Sequence, residues 1–423
     1  METRRKISLK HYDPWSMLLY LIIVVSGLIL LYGLDTVHTE WHKSTSYLSK
    51  QLTWFGLSVV GFALIYFSNV NKVKEWSSLI YLAGILLLAG LFVFGKEVSG
   101  AKAWYRIGSI GFQPAEFMKL AVTLGLAKLI SERGFDLNKK RDIFKALLLI
   151  GVPALLILLQ PDLGTVLVFS AFIFVLYREG LSGFYIFPFV WLVLLFFFTV
   201  KFGASPVVRT LVVVFLAGAL LIYRSAKKHK WNYIGLLFLF LSFSVGAVLF
   251  TSYIYNGVLR PHQQKRIALL LGKISDDQGV GYHLKQSLIA ISNGNWQGQG
   301  FTQGAQLRGN YIPEQHTDYI FTALAEQFGF TGSMIFLSVY LLFIIRLLVL
   351  AERQKQAFSR ITGYGLAALL SVHLFINVLM VMGLFPVVGI PIVFVSYGGS
   401  SLFFFSLLLF LFLKFDANRI DEF

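Results

Sequence analysis

The sequence predicts an all-α, polytopic integral membrane bundle of about twelve helices, and three observations predict it. Of 423 residues, 57% are hydrophobic and only 14% charged. Apolar runs of spanning length recur from one end of the chain to the other. The short alternating segments that an outer-membrane barrel needs are absent. The 41 phenylalanines suit lipid-facing and interfacial positions. There is no cysteine, which excludes disulfides, thiolate metal sites and cysteine nucleophiles.

The first apolar run, about 15–33, follows Arg4, Arg5, Lys6 and Lys10 and has no small-residue cleavage site, so it reads as an uncleaved first span. Further apolar segments fall near 52–69, 77–95, 113–131, 146–160, 163–177, 185–200, 205–223, 233–253, 318–346, 361–384 and 400–414. The two short ones at 146–160 and 163–177 are joined only by Gln160-Pro161-Asp162. A reversal that tight is tolerated at membrane depth where protein covers the backbone. No internal repeat or low-complexity linker interrupts the chain, and 1–423 reads as one integral domain.

The formal charge of +16 is explained by orientation rather than by nucleic acid, since no basic run is interleaved with aromatics in a polar domain. Lys72 and Lys74, the basic stretch 132–145, Arg178, the stretch 224–232 and the stretch 347–360 all fall in connections on one side, while 385–399 carries no charge. Cations concentrate in cytoplasmic connections. Both termini are therefore expected inside, and the long polar stretch 254–317 outside.

Four places hold side chains that could carry chemistry. In the outer loop, two short helices are expected near 262–271 and 283–291, around an Asp-Gly turn at 275–279. Asp276 and Asp277 there stand beside Arg266 and Lys273: either a general base next to anion-binding cations, or a solvated turn. In the connection 96–112 and the helix after it, Trp104 and Arg106 precede Pro114, a helix-start proline, and Glu116 and Lys119 share one helical face. Ionisable groups at the membrane edge are costly; this pair is either functional or a staple. Asp162 reads first as an N-cap, and Thr317 and Asp318 as caps of the next helix, whereas Glu326 lies two turns deeper. His283 and His316 lack close partners of metal-ligand spacing and read as satisfied loop histidines. Finally, Pro391 and the pair Gly398-Gly399 break helix at membrane depth, so that Ser396, Ser400 and backbone amides line a cavity suited to anionic oxygens.

Taken together, the strings identify a family. Asn377-x5-Gly383-x2-Pro386-x2-Gly389-Ile390-x3-Phe394-Val395-Ser396-Tyr397-Gly398-Gly399-Ser400-Ser401 resembles the signature of the shape, elongation, division and sporulation (SEDS) proteins. Q-P-A-E-F-M-K, Q-P-D-L-G-T, D-D-Q-G-V-G-Y-H and P-E-Q-H-T-D-Y-I-F resemble further landmarks in the family's order. The likeness covers nearly the whole chain and leans to the elongation branch over the division branch. It implies a glycosyltransferase that polymerises lipid II, as donor and acceptor, at the outer face of the bacterial cytoplasmic membrane, for cell elongation and rod shape. It also implies a class B penicillin-binding protein transpeptidase as partner, with other elongation-complex membrane proteins. Asp276 falls on the family's loop aspartate, as the catalytic base. Glu116 and Lys119 fall on its fourth-helix pair, and Trp104 on its loop tryptophan. Arg106, Arg266, Asp162, His316, Asp318, Ser396 and Ser400 complete the expected substrate contacts. A divalent cation would help pyrophosphate leave, but no ligand cluster demands one. Relatives have ten spanning helices, so 185–223 reads as a two-helix addition that keeps the loop on the same side. A lipid II flippase or a scaffold is the competing reading. Against transport stand the lack of an inverted repeat and the gathering of polar residues on one outer face.

Overall fold

Helices form where the apolar runs predict them, and the surprises lie at their ends. The computed structural model describes residues 11–37, 46–98, 101–107, 110–225, 230–258, 261–271, 280–312 and 314–419. Helix α1 (Pro14–Val37) starts at a proline, with Asp13 Oδ2 accepting from Ser16 N at 2.8 Å as its cap. Helix α2 (Tyr47–Phe67), capped by Ser46, and α3 (Val70–Phe94) follow. The connection expected to be loop is a small antiparallel sheet of β1 (Lys96–Val98), β2 (Ala101–Ile107) and β3 (Ile110–Phe112). It pairs Tyr105 with Phe112 across the strands, and Tyr105 Oη donates to Leu87 O on α3 at 2.9 Å.

Next come α4 (Pro114–Ile130), α5 (Lys140–Leu159), α6 (Leu163–Phe169), α7 (Ala171–Arg178), α8 (Ile186–Phe202), α9 (Ala204–Ser225) and α10 (Lys230–Tyr253). The short helices α11 (Pro261–Leu270), α12 (Val280–Gly294) and α13 (Ala305–Arg308) lie in the polar stretch, and α14 (Ile320–Glu352), α15 (Ala357–Val381) and α16 (Gly399–Asn418) close the chain. Among the described residues ten helices are long and apolar enough to cross a membrane. The other two expected spans are both helical. Near 113–131 stands α4, of 17 residues, and near 163–177 the α6–α7 pair, a shorter apolar rod.

Contacts divide the chain into two units, Met1–Leu181 with His283–Phe423, and Ser182–Tyr282. The helices expected as an addition, α8 and α9, fall in the second unit with α10. Their shared core is Leu195, Val207 and Val248, with Trp191 Nε1 donating to Ser244 Oγ at 2.9 Å.

Within the first unit, the end opposite the site is fastened by charge. Arg346 pairs with Asp13 and Arg353 with Asp416, Arg178 meets Glu352 at 2.5 Å, and Arg360 meets Glu179 at 2.8 Å. Burial opposes ionisation of Asp13, but the donors Arg346 and Ser16 outweigh it and hold the carboxyl below its ordinary value. Lys414 caps the end of α2, donating to the carbonyls of Ile65 and Tyr66 at 2.6 and 2.8 Å.

Helix α14 is broken where it meets the polar stretch. Gly329 has φ +67°, and a Cβ there would lie 2.3 Å from Gly298 N. The segment 295–300 repairs the break: Gln299 N and Gly300 N donate to Glu326 O and Gln327 O, and Phe330 N and Thr331 N donate to Asn295 O and Trp296 O. Freed backbone groups in an apolar helix are tolerated when something re-satisfies them.

Candidate active site

The structure collects most of the expected site residues around one irregular segment, 387–398, between α15 and α16. Two of its residues have left-handed backbone, Gly389 (φ +72°) and Phe394 (φ +70°). A Cβ at Gly389 would stand 2.9 Å from Asp318 Oδ2. The segment threads between helices at glycines: a Cβ at Gly27 of α1 would lie 2.6 Å from Val395 O, and one at Gly164 of α6 would lie 2.5 Å from Val388 O.

Side chains from other elements satisfy its backbone. Asn377 Nδ2 donates to Ile390 O at 2.6 Å and to Asp318 O at 2.7 Å. Tyr340 Oη donates to Val393 O at 3.2 Å, and Gln51 Nε2 to Ser396 O at 3.1 Å. Tyr397 N donates to His316 O at 2.8 Å, whose imidazole stacks on Tyr47 with centroids 4.0 Å apart. Burial, and then the neighbouring Tyr47, raise the Tyr397 phenol above its ordinary value. Part of the expected lining is already engaged: Ser396 Oγ accepts from Ile392 N at 3.0 Å, and Gly398 N donates to Gln51 Oε1 at 3.3 Å. Ser400 is buried in the first turn of α16.

Glu116 and Lys119 on α4 form the expected pair, Nζ to Oε1 at 2.7 Å, both buried. The pair is tied to the irregular segment through His373 of α15. Lys119 Nζ lies 3.0 Å from His373 Nε2, and His373 Nδ1 lies 2.9 Å from Pro391 O. Lys119 also sits over the ring of Phe405, 5.6 Å from its centroid. The second carboxylate oxygen of Glu116 is buried and meets no donor among the described residues.

Asp162 caps α6 as its position predicts, Oδ1 accepting from Thr165 N at 3.0 Å. Its Oδ2 accepts from Gln113 Nε2 at 3.2 Å, which ties the start of α4 to the α5–α6 turn. Trp104 and Arg106 lie two apart on β2, so they share the sheet face opposite Tyr105, on the hairpin that leads into α4. Glu326 also proves to be a cap, but of another helix: its oxygens accept from Gln306 N at 2.7 Å and Leu307 N at 3.1 Å at the start of α13.

Asp276 and Asp277 lie at 272–279, outside the described residues; Arg266 stands in α11, and its side chain is likewise outside them. His283 lies in α12. Among the described residues no three His, Asp or Glu side chains gather as a metal-ligand set.

His373 and Gln51 do not stand out in the sequence as site residues, and Gln113 and Asn377 figure there only within family strings. A signal existed for the first. His373 and Asn377 are one turn apart, two polar groups on one face of the otherwise apolar run 372–381.

The model of the family described as Cell cycle protein, FTSW_RODA_SPOVE, matches residues 14–208 and 188–420, the two matches overlapping in α8 and the start of α9. The peptidoglycan glycosyltransferase MrdB of Escherichia coli (strain K12) is 31% identical over 93% of this chain and 90% of its own. The peptidoglycan glycosyltransferase RodA of Treponema pallidum (strain Nichols) is 31% identical over 92% of this chain and 94% of its own. A chain from a solved peptidoglycan synthase complex, described for its coordination of polymerization and crosslinking, superposes with TM-score 0.70 at 25% identity, covering 97% of this chain and 99% of that one.

Proposed function

The chain belongs to the FtsW/RodA/SpoVE family and is a multi-pass membrane peptidoglycan glycosyltransferase of the elongation type, and we propose the following account of how its residues do that work. The observation that carries it is the gathering around the segment 387–398 of the Glu116–Lys119 pair, linked to it through His373, of His316 and Asp318, and of the turn at Asp162 whose neighbour Gly164 abuts Val388 O, at the end of the first unit away from the Arg–carboxylate pairs. A polar cluster built from five elements at one membrane face suits a substrate whose tail stays in lipid while its sugars and pyrophosphate stand at the surface.

In this reading Asp276 is the general base. It takes the proton from the 4-hydroxyl of the acceptor's N-acetylglucosamine as that oxygen attacks the donor's anomeric carbon. The bond to undecaprenyl pyrophosphate breaks on the opposite side, and α inverts to β. Charge grows on the departing pyrophosphate, so cations nearby lower the barrier. Arg266, and Arg106 with Trp104 on the hairpin, are assigned to that end. Lys119 is neutralised by Glu116, so its assignment is to hold the site's polar wall, with Asp162, His316, Asp318, Ser396 and Ser400 forming the rest.

The whole chain works as one SEDS-type module with both termini cytoplasmic and 254–317 outside. Its partner is a class B penicillin-binding protein transpeptidase docked on the bundle within the elongation complex, a reading supported by the likeness to a chain of a peptidoglycan synthase complex. Purified protein supplied with lipid II and that partner should make glycan chains, and Asp276→Asn should lower the rate by about 100-fold or more. Chains at full rate from the variant would remove Asp276 as base. No chains from the wild type would return the reading to a transporter or scaffold.

A further inference from the structure

His373 is a buried titratable group that the reaction as written does not use, and its two ring nitrogens face two different parts of the site. It is 1% exposed. Pro391 O can only accept, so the contact at 2.9 Å places the proton on Nδ1. Nε2 then presents its lone pair to Lys119 Nζ at 3.0 Å, and the ammonium donates to it. The ring is therefore a neutral imidazole held in one tautomer, and Phe405 stands edge-on to it with centroids 5.4 Å apart.

The consequence lies in what each partner is attached to. Lys119 spends another donor on Glu116, so the ion pair and the imidazole form one unit on α4 and α15. Pro391 belongs to the segment that carries Gly389 against Asp318 and that donates Tyr397 N to His316 O. Asn377, one turn further along α15, grips the adjacent carbonyl, Ile390 O. Two successive carbonyls of the irregular segment are thus held by one helix face. His373 is the member of that pair that carries the hold on to α4.

We infer that His373 is a positioning residue for glycosyl transfer: it sets the 387–398 segment against the Glu116–Lys119 pair by offering one acceptor to Lys119 and one donor to Pro391 O. The inference rests on the glycosyltransferase reading above. Its chemical requirement is narrow, one acceptor and one donor at the end of a side chain of that reach, and glutamine meets it without a ring.

The test uses the whole chain with lipid II and a set of single and double variants. His373→Gln keeps both contacts and should polymerise within about threefold of wild type. His373→Leu removes both and should lose about tenfold or more in kcat, with KM for lipid II changed less, because a hydrogen bond to a charged group is lost without a substrate contact. In a Lys119→Met background the same leucine should add little, since contacts in one network are not additive. The chain is free of cysteine, so Val388→Cys reports the segment directly: an impermeant thiol reagent should label it faster when His373→Leu is also present than when the histidine is kept. Wild-type kcat in His373→Leu, or equal losses in the leucine and glutamine variants, overturns the inference. Should the leucine variant not purify folded, His373→Asn decides: it reaches Pro391 O but not Lys119, and a wild-type rate there overturns the proposal. An inactive wild type would sink the enzyme reading instead, while the labelling comparison would still test the link.

Discussion

At the scale of single residues, the site depends on groups whose geometry leaves little freedom. Gly389 combines a φ of +72° with an approach that would put a Cβ 2.9 Å from the Asp318 carboxylate. Left-handed backbone costs an L-residue about 1–2 kcal/mol, and the added methyl must also push the carboxylate aside. Gly389→Ala should therefore still fold in detergent but polymerise lipid II at least about tenfold more slowly. A wild-type rate from that variant would show that Asp318 does not need its present position. Asp162 shows the limit of reading a residue in isolation. Its place before α6 marks it as a cap, which it is, yet its second oxygen also holds Gln113 and so the start of α4. The sequence neighbours predict the first role. The second needs a residue 49 positions away.

At the scale of elements, the break in α14 decides how the outer polar stretch is anchored. Glycines at 294, 298 and 329 let two backbones approach closer than any Cβ allows. Four backbone hydrogen bonds from 295–300 then re-satisfy the broken helix. Glu326 adds a fifth tie by capping α13 with both carboxylate oxygens. Glu326→Ala leaves Gln306 N and Leu307 N without that acceptor, and should destabilise the protein by about 1–3 kcal/mol. The check is a thermal melt in detergent together with amide exchange. The amides of 300–309 should exchange faster, while those of α15 keep their protection. Uniform loss of protection would mean that Glu326 supports the whole bundle rather than this loop. None of this was legible in the sequence, where 318–346 reads as one continuous apolar helix. The polarity of the stretch 254–317, by contrast, marks it as something other than a span.

At the scale of the whole molecule, the testable property is sidedness. Cationic residues crowd the connections at 132–145, 224–232 and 347–360, which predicts that they face the cytoplasm. In the otherwise cysteine-free chain, a cysteine at Gln278 should react with an impermeant thiol reagent outside intact spheroplasts, and one at Arg133 only after lysis. The reverse pattern would invert the orientation. The Arg–carboxylate pairs of the first unit sit at the end predicted to be inside. Three of them involve charges 174 or more positions apart, Arg178 with Glu352, Arg346 with Asp13, and Arg360 with Glu179.

What the sequence determined by itself was the class and the parts: spanning helices from continuous apolar runs, the sidedness expected of their connections, the two helices near 185–223, and the strings that place the chain among its relatives. Those features are local, because burial in lipid and helix periodicity act within a run of some twenty residues. What only the tertiary structure decided was the wiring. His373 could be seen as a polar residue on an apolar helix, but not as the link between Lys119 and Pro391. The hairpin 96–112, too short for a strand pattern to stand out, formed because its residues have α3 to pack against. Such contacts are chosen by which elements meet in three dimensions, and hydrogen bonds between groups more than a hundred residues apart leave no periodic trace in the chain.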